Sequence, residues 1–284
     1  MKSIKKRIIA LKDRLVYNIK RPEMRVLPGQ LAFFFFLTLI PLVSLLGGLI
    51  SLLDLPYSSI TEVLNNYFPD GAVNLLSAIT TRTDLNANVI IFFASAILLA
   101  SNGPHSMIVT SNQIYKIKDR NYIIRRAKAL LMTIVVVILL VFVLLIPVFG
   151  DMIFKMIATI DGSSTIRNLL LSAYKVLKYP FSFVFIYYLI KILYIMAPDK
   201  RIERKNVIYG SLFTTICWIL VTQIYSLYVE KFSNYTTLYG SMASILILML
   251  WLYLISYIFV LGMALNVTKY ELTKVNEKNS IEIK

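Results

Sequence analysis

Cysteine, histidine and acidic residues are scarce in this chain. Its 284 residues contain one cysteine, one histidine and 15 Asp or Glu, against 30 Lys or Arg. Because a disulfide needs two thiols, none can form within the chain, and Cys217 inside an apolar run is interpreted as a small core residue. The sequence also lacks a His/Cys/Asp/Glu cluster with metal-ligand spacing, a glycine-rich phosphate loop and a nucleophile elbow. We therefore expect no metal, no cofactor and no hydrolytic enzyme.

Apolar residues dominate what the chain does contain. Hydrophobic side chains make up 58% of the residues and charged ones only 16%, a composition outside the range of soluble globular domains. Several apolar runs reach about 20 residues, the length that a helix needs to cross the roughly 30 Å hydrocarbon layer of a membrane. The sequence therefore predicts an all-α, polytopic integral membrane protein.

Six apolar segments are long enough to be transmembrane helices, and together they define a transmembrane domain of residues 30–267. They lie at about 31–53, 88–109, 127–149, 179–197, 207–229 and 238–267. Pro41 removes a backbone hydrogen bond and is expected to kink the first span. The second span is interrupted by residues 101–105 (Ser-Asn-Gly-Pro-His). We predict a broken helix here, with the break at Asn102 to Pro104 buried among other helices or facing water.

Basic residues alternate between the two sides of these spans. Lys and Arg number 9 before the first span, then 1, 6, 4, 4 and 1 in the successive connections, and 4 in the tail. Cytoplasmic loops carry the excess of positive charge, so both termini are predicted to be cytoplasmic. We therefore interpret the net charge of +15 as a determinant of membrane topology and of binding to anionic lipid, rather than of binding to nucleic acid.

Residues 1–29 form a basic segment before the first span. Its apolar residues recur every three or four positions and share one face of a helix. They are Ile4, Ile8, Leu11, Leu15 and Ile19. An interfacial helix that binds anionic lipid headgroups at the cytoplasmic face is the favoured interpretation, and a solvated helix is the alternative. We also predict an amphipathic hairpin at the outer interface in residues 54–87, and a cytoplasmic tail in residues 268–284.

Polar residues at membrane depth are the candidates for a binding site, because such residues are costly in lipid. Lys191 either extends to the interface or faces inward and binds an anion, and His105 is either a packing residue or a proton relay. Pro41, the broken second span and the start of the sixth span at Tyr239 are expected to border one polar cavity. The candidate residues are Gln30, Thr38, Pro41, Asn102, His105, Asn112, Lys191, Tyr239 and Asn266.

Three parts of the chain resemble the YihY/virulence-factor-BrkB family of bacterial inner-membrane proteins, formerly labelled ribonuclease BN. The first is the segment 29–41, and the second is Asn112 with Tyr115 and the basic stretch that follows. The third is the carboxyl-terminal third, where the family order is kept by Pro198, Gly210, Trp218, Tyr228, Tyr239, Gly240, Trp251, Gly262 and Asn266. The resemblance implies a six-span protein of the bacterial inner membrane. Ala264 stands where many members carry glutamate, so a mechanism that needs that carboxylate is not supported.

Two functions remain open from the sequence. A transporter-like or lipid-handling protein would bind an amphipathic or anionic solute in a polar cavity between helices. A non-transporting scaffold or envelope-assembly factor would use the same polar residues only to hold helices together. Ribonuclease activity is not expected, since nuclease chemistry needs clustered carboxylates or histidines.

Overall fold

The computed structural model describes residues 12–52, 89–139, 180–231 except 181, and 243–282. Within these ranges all regular secondary structure is helical, which confirms the all-α prediction. The helices are α1 (12–19), α2 (Glu23–Leu52), α3 (Val89–Ala100), α4 (Asn102–Tyr115), α5 (122–139), α6 (Ser182–Met196), α7 (Arg204–Lys231) and α8 (Ala243–Glu282). The predicted outer hairpin at 54–87 lies outside the described residues, as does Tyr239.

Three of the described helices contain stretches that are long and apolar enough to cross a membrane. These stretches are Glu23–Leu42 of α2, Arg204–Tyr225 of α7 and Ile245–Lys274 of α8. The shorter helix α6 is also apolar. The exposed face of α7 carries an apolar stripe with one residue every three or four positions, as is typical of a lipid-facing surface. The stripe consists of Leu212, Ile216, Leu220, Ile224 and Leu227.

Two helices extend further than the hydropathy pattern predicts. Helix α2 begins at Glu23, about two turns before the first span predicted at 31–53. Pro28 and Pro41 both lie within this helix, which continues through them. Helix α8 continues to Glu282, through most of the predicted tail, because no proline or glycine follows the span to stop it. Apolar content marks the part of a helix that lipid covers and does not fix the ends of the helix.

The second predicted span contains two helices, α3 and α4, that meet at Ser101. Ser101 has helical backbone angles (φ −69°, ψ −6°). Its N–H donates to the Ile97 carbonyl at 3.0 Å, and its own carbonyl accepts from the N–H of His105 at 2.9 Å. The interruption is thus shorter than the five residues predicted, since residues 102–105 belong to α4. Pro104 lies in the first turn of α4, where a missing N–H is tolerated.

Helices α2 and α8 form the centre of the described fold. They pack against each other, while α8 also packs on α7 and α2 also packs on α3 and α4. Leu31 of α2, Tyr194 of α6 and Phe259 of α8 are among the largest fully buried side chains. The short helix α1 is attached to α8, just after the predicted sixth span, through a 3.0 Å hydrogen bond from the Asn18 amide to the Thr268 hydroxyl.

Candidate functional site

Helix α4 is rich in polar side chains and is nevertheless buried. Ser106, Thr110, Ser111 and Asn112 are each at most 1% exposed. Helix α2 packs along α4, and α8 also contacts it. Because buried polar groups are costly unless they are hydrogen-bonded, each of these side chains requires a partner.

Several hydroxyl groups in this region lack that partner. We call Thr38 of α2 and Ser106, Thr110 and Ser111 of α4 the hydroxyl row. Their hydroxyl oxygens are buried, and none has a hydrogen-bond partner among the residues that the structure describes. Ser106 and Thr110 lie three and seven positions after Gly103, so the three residues share one face of α4.

The helices come very close together at the start of this row. A Cβ atom added to Gly103 would lie only 2.8 Å from Oγ1 of Thr38 and 3.3 Å from its Cβ. Glycine therefore permits the contact between α2 and α4 at this point. The contact also places Thr38 on the same side of α4 as Ser106 and Thr110.

Several buried hydroxyl groups elsewhere in the described helices are paired with their own helix, whereas the Ser256 hydroxyl of α8 is also buried without a partner among the described residues. Thr133 donates to the Ala129 carbonyl at 2.8 Å, Ser211 to the Val207 carbonyl at 2.7 Å, and Thr215 to the Ser211 carbonyl at 2.8 Å. This bond to the carbonyl four residues earlier is open to any helical serine or threonine. Helix geometry alone thus does not explain why the hydroxyl row is unpaired.

The structure does not bring the predicted site residues into one place. Thr38, Asn102 and His105 lie around the beginning of α4, where Oδ1 of Asn102 accepts a 3.0 Å hydrogen bond from Arg126. Gln30 is half-buried on α2, as is Pro41 further along the same helix. The remaining described candidates belong to three other environments. They are Asn112, Lys191 and Asn266.

Asn112 belongs to a buried network at the end of α4. Its side-chain nitrogen donates to Asp119 at 2.8 Å and to Asp199 at 2.7 Å. Its side-chain oxygen accepts from the backbone N–H of Asp199 at 2.9 Å. One amide thus joins the α4–α5 connection to the α6–α7 connection, and all of its hydrogen-bonding atoms have partners. This pairing gives Asn112 a structural role.

Lys128 completes this network from α5. Its ammonium group donates to Oδ1 of Asp199 at 2.9 Å and to the carbonyls of Ala197 and Pro198 at 3.0 and 2.7 Å. The Asp199 side chain is 1% exposed and that of Lys128 24%. Lys128 thereby binds the carboxylate and also the carbonyls that follow the end of α6, where a positive charge is favourable.

The pKa of Asp199 predicts how the stability of the fold changes with pH. Burial alone raises the pKa of Asp199, but hydrogen bonds from Lys128 and Asn112 outweigh it and hold the pKa below its ordinary value. A carboxyl group with a depressed folded pKa stabilises the fold above its unfolded pKa of about 3.9 and loses this contribution as the pH falls through the folded pKa. Thermal unfolding of the detergent-solubilised protein between pH 7 and 3 should show this loss below about pH 4, and Asp199→Asn should reduce it.

Asn266 lies at a close crossing of α7 and α8. Its Oδ1 accepts from the backbone N–H of Gly210 at 2.9 Å. The backbones are so close that a Cβ at Gly210 would overlap the carbonyl oxygen of Gly262. Nearby, the Tyr194 hydroxyl bonds the Thr214 hydroxyl at 2.6 Å. The family-like spacing of Gly262 and Asn266 thus corresponds to helix packing.

Lys191 is half-buried on α6 between two aromatic rings. Its ammonium nitrogen lies 5.5 Å from the ring centroid of Tyr187 and 5.6 Å from that of Tyr188. Cations are attracted to the faces of such rings. These contacts are compatible with either of the two roles predicted for Lys191.

Sequence reasoning missed the acidic members of the Asn112 network, which are Asp119 and Asp199. Both lie in strongly basic connections, where the charge pattern was used only for topology. Asp199 follows Pro198 directly after an apolar span. An acidic residue at such a boundary is a usable signal, because it can pair with a lysine at the end of a neighbouring span.

Comparisons with known proteins confirm the family resemblance. A family model described as "Virulence factor BrkB" matches residues 15–282. The chain is 32% identical over 255 residues to the "Putative ribonuclease-like protein YfkH" of Bacillus subtilis, which covers 88% of this chain and 92% of that protein. A "UPF0761 membrane protein" of Alteromonas mediterranea is 37% identical over 70 residues, 25% of this chain and 24% of that protein. No solved structure matches. This chain therefore belongs to the virulence factor BrkB family of membrane proteins.

Proposed function

We propose that this protein is a transporter-like or lipid-handling protein that binds an amphipathic or anionic solute beside the hydroxyl row. The observation that carries the proposal is the group of buried hydroxyls on α2 and α4 without partners in the described residues. A hydrocarbon layer supplies no water to satisfy such groups. Water or a polar solute held between α2 and α4 would supply the missing hydrogen bonds.

We further propose six spans in the bacterial cytoplasmic membrane, with cytoplasmic termini, a first span kinked at Pro41 and a second span divided at Ser101. Contacts between the basic segments support a common side for them. Asn112 and Asp199 link the α4–α5 and α6–α7 connections, and α1 bonds Thr268 at the start of the predicted tail. These are the segments that the positive-inside rule assigns to the cytoplasm.

Anionic lipid headgroups at the cytoplasmic face are the proposed partners of the basic amino-terminal segment. In α1, Val16 and Tyr17 are exposed, and the guanidinium carbon of Arg14 and the Nζ of Lys116 lie 5.8 and 5.7 Å from the Tyr17 ring centroid. Exposed apolar groups among cations suit an interfacial helix on an anionic leaflet. Ile19 is exposed as well, whereas Asn18 is buried against α8.

Reconstitution into liposomes tests the proposed function. The probes are a fluorescent phospholipid and a fluorescent organic anion, and their movement across the bilayer is measured with and without protein. The double variant Ser106→Ala/Thr110→Val removes two members of the hydroxyl row at nearly constant volume. We expect it to lose about tenfold or more of the activity, which corresponds to about 1.4 kcal/mol.

The matched control is Ser211→Ala/Thr215→Val, which removes two buried hydroxyls that are paired within α7. It should keep most of the activity if the hydroxyl row contacts the solute. A parent protein that is folded and moves neither probe would contradict transport of these classes and favour the scaffold function. In that case the Thr110→Val change should raise the thermal stability, because it removes an unpaired buried group.

A further inference from the structure

The first turn of α5 presents an aromatic ring and two guanidinium groups to the beginning of α4. The rings of Tyr122 and His105 meet edge to face with their centroids 5.8 Å apart. Arg125 and Arg126 follow Tyr122 by three and four positions and therefore share its face of α5. Nη1 of Arg126 donates a 3.0 Å hydrogen bond to Oδ1 of Asn102. We call His105, Tyr122, Arg125 and Arg126 the arginine nook.

Two nitrogen atoms in the arginine nook are buried without a partner. They are Nε of Arg125 and Nε2 of His105, and neither has a hydrogen-bond acceptor in the portion of the chain that the structure describes. Nε of arginine is always a donor, and Nε2 of histidine donates in one tautomer and in the protonated form. A buried donor on a charged group is especially costly to leave unpaired. The two atoms therefore indicate an acceptor outside the described residues.

The charge of the nook favours an anionic acceptor. Arg125 and Arg126 contribute two positive charges, and Asp119 offsets one of them through a 2.7 Å ion pair with Nη1 of Arg125. One positive charge remains, and the planar guanidinium group binds tetrahedral phosphate oxygens through several donors at once. A carboxylate would offer only two oxygens to the available donors.

The surroundings of the nook favour a phosphate that is attached to a lipid. On the same turn of α5, Ile123 and Ile124 are 72% and 50% exposed. Exposed isoleucines beside a cationic group suit acyl chains adjoining an anionic headgroup. We propose that the arginine nook is a binding site for a phosphate group, carried by a phospholipid headgroup or present as free phosphate. This goes beyond the proposed function, since binding here does not require movement across the membrane.

Equilibrium binding to the full-length protein in an uncharged detergent tests the proposal. The probes are inorganic phosphate and short-chain phosphatidylglycerol, each titrated calorimetrically. Binding of phosphatidylglycerol alone identifies the lipid source, and binding of inorganic phosphate identifies a site for the free anion. Absence of binding by both probes would overturn the proposal. Because the readout is binding, a failure here is distinct from a failure of transport.

Three variants localise the binding. Arg125→Gln should weaken it about tenfold, since it removes a charge-assisted hydrogen bond. His105→Phe keeps a ring against Tyr122 and leaves the Asp119 ion pair in place, and it should weaken binding several-fold through the loss of one donor. Lys118→Gln, the matched control, removes an exposed charge from the α4–α5 connection and should change binding less than about twofold. Equal losses for Lys118→Gln and Arg125→Gln would show non-specific attraction and overturn the assignment to the nook.

Discussion

Gly210→Ala is expected to disrupt the packing of α7 on α8 and to cost about 3 kcal/mol or more of stability. The added Cβ would overlap the backbone carbonyl of Gly262 and the side-chain amide of Asn266. A side chain can rotate away, but a carbonyl of a continuous helix moves only with the helix. Overpacking of this kind commonly costs about 1–3 kcal/mol and more where the backbone must shift. In a membrane the loss is aggravated, because helix association depends on close approach.

Gly29→Ala is the matched control for this change. Gly29 is also helical, in α2, and a Cβ added there meets no atom within 4 Å. Alanine is favoured over glycine in helices by about 1 kcal/mol, so this variant should unfold at the same temperature as the parent or slightly higher. Thermal unfolding of both variants in detergent measures the difference. Equal stability of the Gly210 and Gly29 variants would contradict the close crossing of α7 and α8.

Asp199→Asn is expected to destabilise the protein by about 3 kcal/mol. The change removes the charge that Lys128 faces at 2.9 Å, in a place where the Asp199 side chain is 1% exposed. Breaking a buried ion pair costs about 3–5 kcal/mol, because one charge is left without its partner. The partial exposure of Lys128 and its two backbone carbonyl partners place the expected value at the lower end of that range.

A double-mutant cycle with Lys128→Met tests the pairing of Asp199 and Lys128. Removing both charges should recover part of the loss, since no unpaired charge remains. The control is Glu203→Gln in the same connection. Its partner Lys205 is bound at 2.7 Å, but both side chains are about 60% exposed, so the loss should stay below about 1 kcal/mol. Strictly additive effects of Asp199→Asn and Lys128→Met would contradict the ion pair.

The class of the fold follows from apolar run lengths alone. Runs of about 20 residues have few alternatives to helix in a membrane, because every backbone group must be bonded within its segment. Helix ends were less predictable. Glu23 begins α2 well before the hydropathy rises, and α8 continues past Asn266, since polar residues with good helix propensity extend both helices without changing the apolar signal.

The environment of individual polar residues was not predictable from sequence. Asn102 and His105 were predicted at the interruption of the second span, which is a local property of the sequence, whereas the contact of Thr38 with Gly103 depends on how α2 crosses α4. Asn112 and Asn266 were assigned to the same cavity, yet each bonds a different partner far along the chain, Asp199 in one case and Gly210 in the other. Such long-range pairs depend on how helices cross, which a periodic pattern does not specify.

Cysteine labelling tests most directly whether the hydroxyl row is open to a polar solute. Cys217 is the only cysteine of the chain, so Cys217→Ser gives a background without thiols. Ser106→Cys and Thr110→Cys are then exposed in membrane vesicles to a charged, water-soluble methanethiosulfonate reagent, with Thr215→Cys as the buried and paired control. The proposed function predicts labelling at positions 106 and 110 and none at 215. Positions 106 and 110 that stay as unreactive as 215 would show a dry helix contact and contradict it.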